Sequence, residues 1–118
     1  MHRILAVEDD KLIRWSLKEI FTQEGYEVDA VAIIKDALNQ ATNNPYNLIF
    51  ADIEMGKETG TDMLREMKKL QTMAKIIILS AYSRSQIETS LAALNIFSIV
   101  EKPFNAEQIK MLAKEALY

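Results

Sequence analysis

Cysteine is absent from the 118-residue chain, which excludes disulfides, thiolate metal centres and a cysteine nucleophile. Glycine and proline are scarce, at three and two, where average usage would give about eight and six. That scarcity excludes collagen-like repeats, Pro-rich segments and Gly/Ser linkers. The one histidine, His2, has no neighbours that would complete a site and reads as surface. No apolar run approaches the ~20 residues of a membrane span, and the start Met1-His2-Arg3 lacks the apolar core of a secretion signal. The expectation is a cytoplasmic protein with no membrane contact. Cationic excess is missing as well. Fourteen Lys and Arg stand against seventeen Asp and Glu, a formal net charge of −3, which argues against direct nucleic-acid contact, because that needs a basic face.

What is there resembles an ordinary folded domain. Hydrophobic residues make up 49% and charged residues 26%, a balance that argues against disorder. The length suits one domain, 1–118, with a single core. Short β-branched runs alternate with longer helical patterns. Strands are expected at 3–7 (RILAV), 26–31 (YEVDAV), 48–51 (LIFA), 75–79 (KIIIL) and 96–100 (IFSIV). Helices are expected at 11–24, 35–42, 61–70, 83–94 and after Asn105 to Tyr118, with a loop over 52–60. Asp10 and Asn105 stand where N-caps belong, and Gly25 stands where a helix stops. Five strands and five helices in strict alternation imply α/β architecture. Three of the strands are nearly continuous apolar runs, as in strands covered on both faces. The expected fold is a flavodoxin-like, doubly wound, five-stranded parallel sheet in the order 2-1-3-4-5, whose ligand site lies beyond the carboxyl ends of the strands.

Those ends carry the chemistry. The first strand runs into Glu8-Asp9-Asp10, the third into Asp52, the fourth into Ser80-Ala81, and Lys102-Pro103 follows the fifth. Clustered carboxylates repel one another, which disfavours their charged state. A hard divalent cation removes that penalty, and Mg²⁺ takes one or two carboxylates while keeping water or phosphate ligands. A nearby lysine and hydroxyl suit the remaining oxygens of a phosphoryl group. The pattern points to phosphoryl transfer onto a carboxylate, since an aspartate can itself be the nucleophile.

In these residues the chain resembles the receiver domains of two-component response regulators. The resemblance spans essentially the whole sequence. It rests on ILAVEDD at the start, LIFADIEMG around Asp52, Gly60, Ser80-Ala81 and Lys102-Pro103-Phe104, in family order and spacing. The resemblance implies that Asp52 is the phospho-acceptor. It also implies that Asp9, Asp52 and the backbone carbonyl of Glu54 bind Mg²⁺ (or Mn²⁺), with Glu8 acting through a water. Ser80 would bond a phosphoryl oxygen, and Lys102 would pair with the phosphoryl charge. The Lys102-Pro103 bond is expected cis. The implied partner is a sensor histidine kinase or a histidine phosphotransfer protein, docking in part against the first helix, where Trp15 projects opposite Ile13, Leu17 and Ile20. The implied output is a population shift of the face made by the fourth helix, fifth strand and fifth helix, which is also where a homodimer would form. Such a domain is a signalling switch rather than a metabolic enzyme.

Three positions depart from the family pattern. Gly56 replaces a proline, which loosens the acceptor loop. Ile99 replaces the aromatic switch residue. Phe97, two residues earlier, is expected on the same strand face. Glu54 and Tyr82 occupy variable positions flanking the site. Two other readings stay open: a pseudo-receiver that binds partners without phosphorylation, and a Mg²⁺-dependent phosphohydrolase with an Asp nucleophile. Against the second, the residue two after Asp52 is Glu54 rather than a second Asp, and there is no room for a cap. No G-x-G-x-x-G or P-loop is present. The helix KLIRWSLKEIF faintly resembles regulators that carry an ATPase module and a DNA-binding tail.

Overall fold

The computed structural model describes residues 1–55, 58–71 and 73–118. The chain runs β1 (Arg3–Val7), α1 (Lys11–Gln23), β2 (Glu27–Val31), α2 (Ile34–Asn43), β3 (Leu48–Asp52), β4 (Glu54–Met55), β5 (Glu58–Thr59), α3 (Gly60–Leu70), β6 (Lys75–Ser80), α4 (Arg84–Leu91), a 3₁₀ turn (Ala92–Leu94), β7 (Ser98–Glu101) and α5 (Ala106–Leu117). The major sheet is ordered β2-β1-β3-β6-β7 and its pairs are parallel. This is the 2-1-3-4-5 order expected of the five principal strands.

Strand periodicity explains the layers. Side chains alternate between faces along a strand. Ile4, Leu48, Phe50, Ile77, Leu79 and Val100 pack one way, against Leu17 and Phe21 of α1 and Ile109 and Ala113 of α5. Leu5, Val7, Ile49, Ile76 and Ile78 pack the other way, against α2, α3 and α4. Every residue of β3 is buried, as are the last five of β6, so these runs need no polar alternation. Burying each such Leu, Ile or Phe side chain stabilises the fold by about 1.5–3 kcal/mol. The rings of Phe21 and Phe50 meet across one layer at 4.8 Å between centroids.

The expected caps form. Asp10 Oδ1 accepts the Ile13 N–H at 3.0 Å, and Asn105 Oδ1 accepts the Gln108 N–H at 2.8 Å. Each satisfies one of the unpaired donors at a helix start. Gly25 closes α1 with φ of +89°, a conformation open to glycine without a steric penalty.

Several boundaries differ from the sequence expectation. Asp52 and Ser80 belong to the strands rather than following them, because each still shares the ladder with a neighbouring strand. The 52–60 segment is not all loop: Glu54–Met55 and Glu58–Thr59 pair as a small antiparallel ribbon, too short to leave a periodic signature. The fourth helix ends at Leu91, and the chain tightens into the 3₁₀ turn before Asn95 takes a left-handed conformation at φ 52°. Phe97 does not share the face of Ile99. It lies ahead of β7, where strand alternation does not apply, and packs on the α1/α5 side, while Ile99 packs on the other. Gly56 lies outside the described residues.

Candidate functional site

The parallel sheet brings four chain segments to one edge. Glu8 extends β1, its N–H donating to Val31 O at 3.0 Å, and its side chain is fully buried. Arg14 reaches back from α1 and donates to the carbonyls of Glu8 (3.0 Å) and Asp9 (3.2 Å), fixing the acidic turn. Asp52 ends β3, also buried. The Lys102 N–H donates to Ser80 O at 2.7 Å, which ties the segment after β7 to the end of β6. The Lys102-Pro103 peptide is cis, as expected.

The Lys102 ammonium stands between two carboxylates, 2.7 Å from Glu8 Oε1 and 2.8 Å from Asp52 Oδ2. The other acceptor oxygen, Asp52 Oδ1, takes the Glu54 N–H at 2.8 Å. Burial, reinforced by the bond and charge of Asp52, pushes the Glu8 carboxyl well above the ordinary carboxylate range, and Lys102 offsets only part of this. Burial pulls the Lys102 ammonium down, but its bonds to Asp52 and Glu8 outweigh that and hold it above the usual lysine value.

Glu8, Asp9 and Asp52 each offer an oxygen, and these oxygens lie within 4.8 Å of one another. Glu8 Oε1 is buried and, although charge-paired with Lys102, accepts no hydrogen bond in good geometry among the described residues. Three hard oxygen donors, two of them buried, fit a divalent cation of the Mg²⁺ type. Thus the residues expected to act together do converge: Glu8, Asp9, Asp52, Lys102 and, at the neighbouring strand end, Ser80. Ser80 is buried and its Oγ accepts the Tyr82 N–H at 3.0 Å. Asp10 stands apart as the helix cap.

One participant, Arg14, is new, and one expected position, Glu54, makes a side-chain contact that the sequence does not show. Arg14 carries no sequence signal beyond its place one turn into α1. The side chain of Glu54 crosses to the next segment, where its Oε1 accepts the Ala81 N–H at 2.8 Å. Gly60 also gains a reason: a Cβ there would collide with the Ile53 backbone, so glycine lets α3 begin directly against the chain that leaves β3. An apolar groove of about 530 Å³ opens beside Lys102, lined by Leu12, Ile13, Ile20, Pro103 and Phe104 among others. Trp15 is exposed.

Comparison with known proteins agrees with this geometry. Residues 4–114 match the family described as Response regulator receiver domain. The chain is 29% identical over 115 residues to Sporulation initiation phosphotransferase F from Bacillus subtilis, covering 98% of this chain and 93% of that one. It is 29% identical over 119 residues to Regulatory protein AtoC from Escherichia coli, where it spans 99% of this chain but only 25% of the relative's length. Among solved structures, response regulator protein TrrA from Thermotoga maritima, in complex with Mg²⁺-BeF, superposes with a TM-score of 0.87 at 37% identity, covering 99% of this chain and all of that one.

Proposed function

This chain belongs to the response regulator receiver domain family, and on that premise we propose that Asp52 takes a phosphoryl group from a phosphohistidine on a sensor histidine kinase or a histidine phosphotransfer protein. Residues 1–118 act as one such domain. An Asp52 carboxylate oxygen attacks phosphorus in line. The bond from phosphorus to the donor imidazole nitrogen breaks as the new oxygen–phosphorus bond forms, and the imidazole leaves with the electron pair and takes up a proton. Glu8, Asp9, Asp52 and the Glu54 backbone carbonyl would hold Mg²⁺ or Mn²⁺, which when bound neutralises charge on the transferring oxygens. Lys102 and Ser80 hold the remaining phosphoryl oxygens.

The observation that carries this reading is the Lys102 ammonium set between Glu8 and Asp52 at 2.7 and 2.8 Å. A cation already poised on the acceptor oxygen needs little rearrangement to pair with the group placed there. The apolar groove beside it gives the donor's helix a surface on which to approach. Once charged, the site draws Ser80 Oγ away from the Tyr82 N–H. This loosens the turn before α4 and shifts the α4–β7–α5 face, through which a homodimer would form. Ile99 offers no aromatic ring to report that shift, so the signal runs through the Ser80–Tyr82 turn.

The domain serves as a cytoplasmic signalling switch rather than a metabolic enzyme, without direct contact to nucleic acid. No described helix is long and apolar enough to cross a membrane. The test is incubation with Mg²⁺ and acetyl phosphate, followed by intact mass. Wild type gains one hydroxylamine-labile phosphoryl group and Asp52→Asn gains none. If the two respond alike, Asp52 is not the acceptor.

A further inference from the structure

The acceptor site already contains an anion of its own. Glu54 leaves Asp52 by two residues, and its own N–H bonds Asp52 Oδ1 at 2.8 Å. Its side chain then reaches over to the end of β6, where Oε1 accepts the Ala81 N–H at 2.8 Å. Ala81 follows Ser80, and the strand register sets Asp52 beside Leu79, so the Ala81 amide stands at the rim of the acceptor. The other carboxylate oxygen, Glu54 Oε2, is buried and has no hydrogen-bond partner among the described residues. One oxygen is thus well bonded and the other desolvated without return, so the carboxylate is held in place at a cost.

An anion bound on Asp52 would need donors beyond the Glu54 N–H and Lys102 that the carboxylate already holds, and the Ala81 N–H, two residues past the ladder partner Leu79, is a backbone donor offered at that strand end. Two negative groups cannot share one N–H, and they repel at that range. Building on the acceptor reading above, we propose that the Glu54 side chain is an intramolecular competitor. It occupies the Ala81 amide in the resting protein, and it must swing out to solvent before a group on Asp52 can take that donor. The affinity of the site for an incoming anion is therefore reduced by the resting contact, and the Glu54 side chain sets how large that reduction is.

The test uses beryllofluoride with Mg²⁺ as the probe and ¹⁵N-labelled wild type, Glu54→Ala and Glu54→Gln. The Ala81 amide proton should sit downfield in wild type and move upfield in Glu54→Ala. After beryllofluoride addition, its position should be the same in both. Glu54→Ala should bind the probe about fivefold to tenfold more tightly, as befits loss of one charge-assisted competitor. Glu54→Gln keeps the size of the side chain but not its charge, and should fall between. An Ala81 resonance indifferent to residue 54, or equal or weaker binding by Glu54→Ala while wild type binds, overturns the proposal and leaves the acceptor reading intact. If no protein binds the probe, the role of Asp52 fails and this proposal falls with it.

Discussion

At the amino end of the sheet, Arg3, Asp29, Gln40 and Tyr46 share one network. The Tyr46 hydroxyl donates to Asp29 at 2.6 Å and lies 3.1 Å from Gln40 Oε1, while Arg3 pairs with Asp29 at 3.1 Å and stacks over the Tyr46 ring. Nearby, buried Gln71 accepts the Tyr46 N–H at 2.9 Å and donates to Ala41 O and Asn44 O at 2.7 and 2.6 Å. At the carboxyl end, Glu8, Asp52 and Lys102 are buried or nearly so, yet the two buried side-chain oxygens that lack a hydrogen-bond partner among the described residues, on Glu8 and Glu54, lie here. The same sheet closes its polar groups at one edge and leaves them open at the other. The first edge is built to hold the fold, and the second to receive something.

The sharpest way to break that contrast is to open the closed edge. Gln71→Ala strands the Tyr46 N–H and the Ala41 and Asn44 carbonyls in a buried setting. A buried orphan costs about 1–3 kcal/mol each, and partial rearrangement offsets some of that. The expected loss is about 3 kcal/mol of unfolding free energy in a urea titration, with beryllofluoride binding unchanged once corrected for folded fraction. A loss below about 1 kcal/mol would mean that this edge is not the fastening it resembles.

The opposite edge should respond in the opposite sense. Glu8→Gln replaces a buried carboxyl, whose ionised form is disfavoured by burial and by Asp52, with a neutral amide, while Lys102 keeps Asp52 as a partner. In chelator the variant should be more stable than wild type by about 1–2 kcal/mol. With Mg²⁺ the ranking should reverse, because only wild type keeps the full carboxylate set, and ligand at a hundred times its dissociation constant adds about 2.7 kcal/mol. Thermal melts with and without Mg²⁺ read both effects. A variant less stable in chelator would show that the Glu8–Lys102 pair is structural.

The two edges were also unequally legible. Asp52, Ser80 and Lys102 could be placed because each follows an apolar run too continuous to be anything but a buried strand, and parallel strands deliver their ends to one side. Asp10 and Asn105 were legible as caps because that chemistry is local. The Gln71 network was not, since its partners lie 25 to 30 residues away and no period connects them. The Glu54–Ala81 bond spans 27 residues and was hidden for the same reason. Phe97 departs from the period-two expectation because it lies ahead of β7, where strand alternation does not hold. The β4–β5 ribbon left no trace because two residues per strand hold no period.

The smallest effect expected at the closed edge is also the one that isolates a single bond. Tyr46→Phe deletes the hydroxyl but keeps the ring under Arg3, and Asp29 retains Arg3 as a partner. Stability should fall by only about 1 kcal/mol near neutral pH. The pH dependence separates this bond from a packing defect. Burial first, and then the bond to Asp29, raise the Tyr46 hydroxyl above the ordinary tyrosine value of 10.0. The unfolded chain therefore loses this proton while the native state still holds it. Tyr46 thus contributes stability that is complete below pH 10 and is lost as pH rises from there through the native value. Urea titrations between about pH 9 and 11 should show wild-type stability declining more steeply than that of Tyr46→Phe. Tyr26 is raised as well, by burial and by Tyr118 and Glu24, so the variant should keep part of the alkaline slope. Identical slopes in the two proteins would mean that the Tyr46 hydroxyl is not held by Asp29 in solution, and that this edge is less closed than its geometry implies.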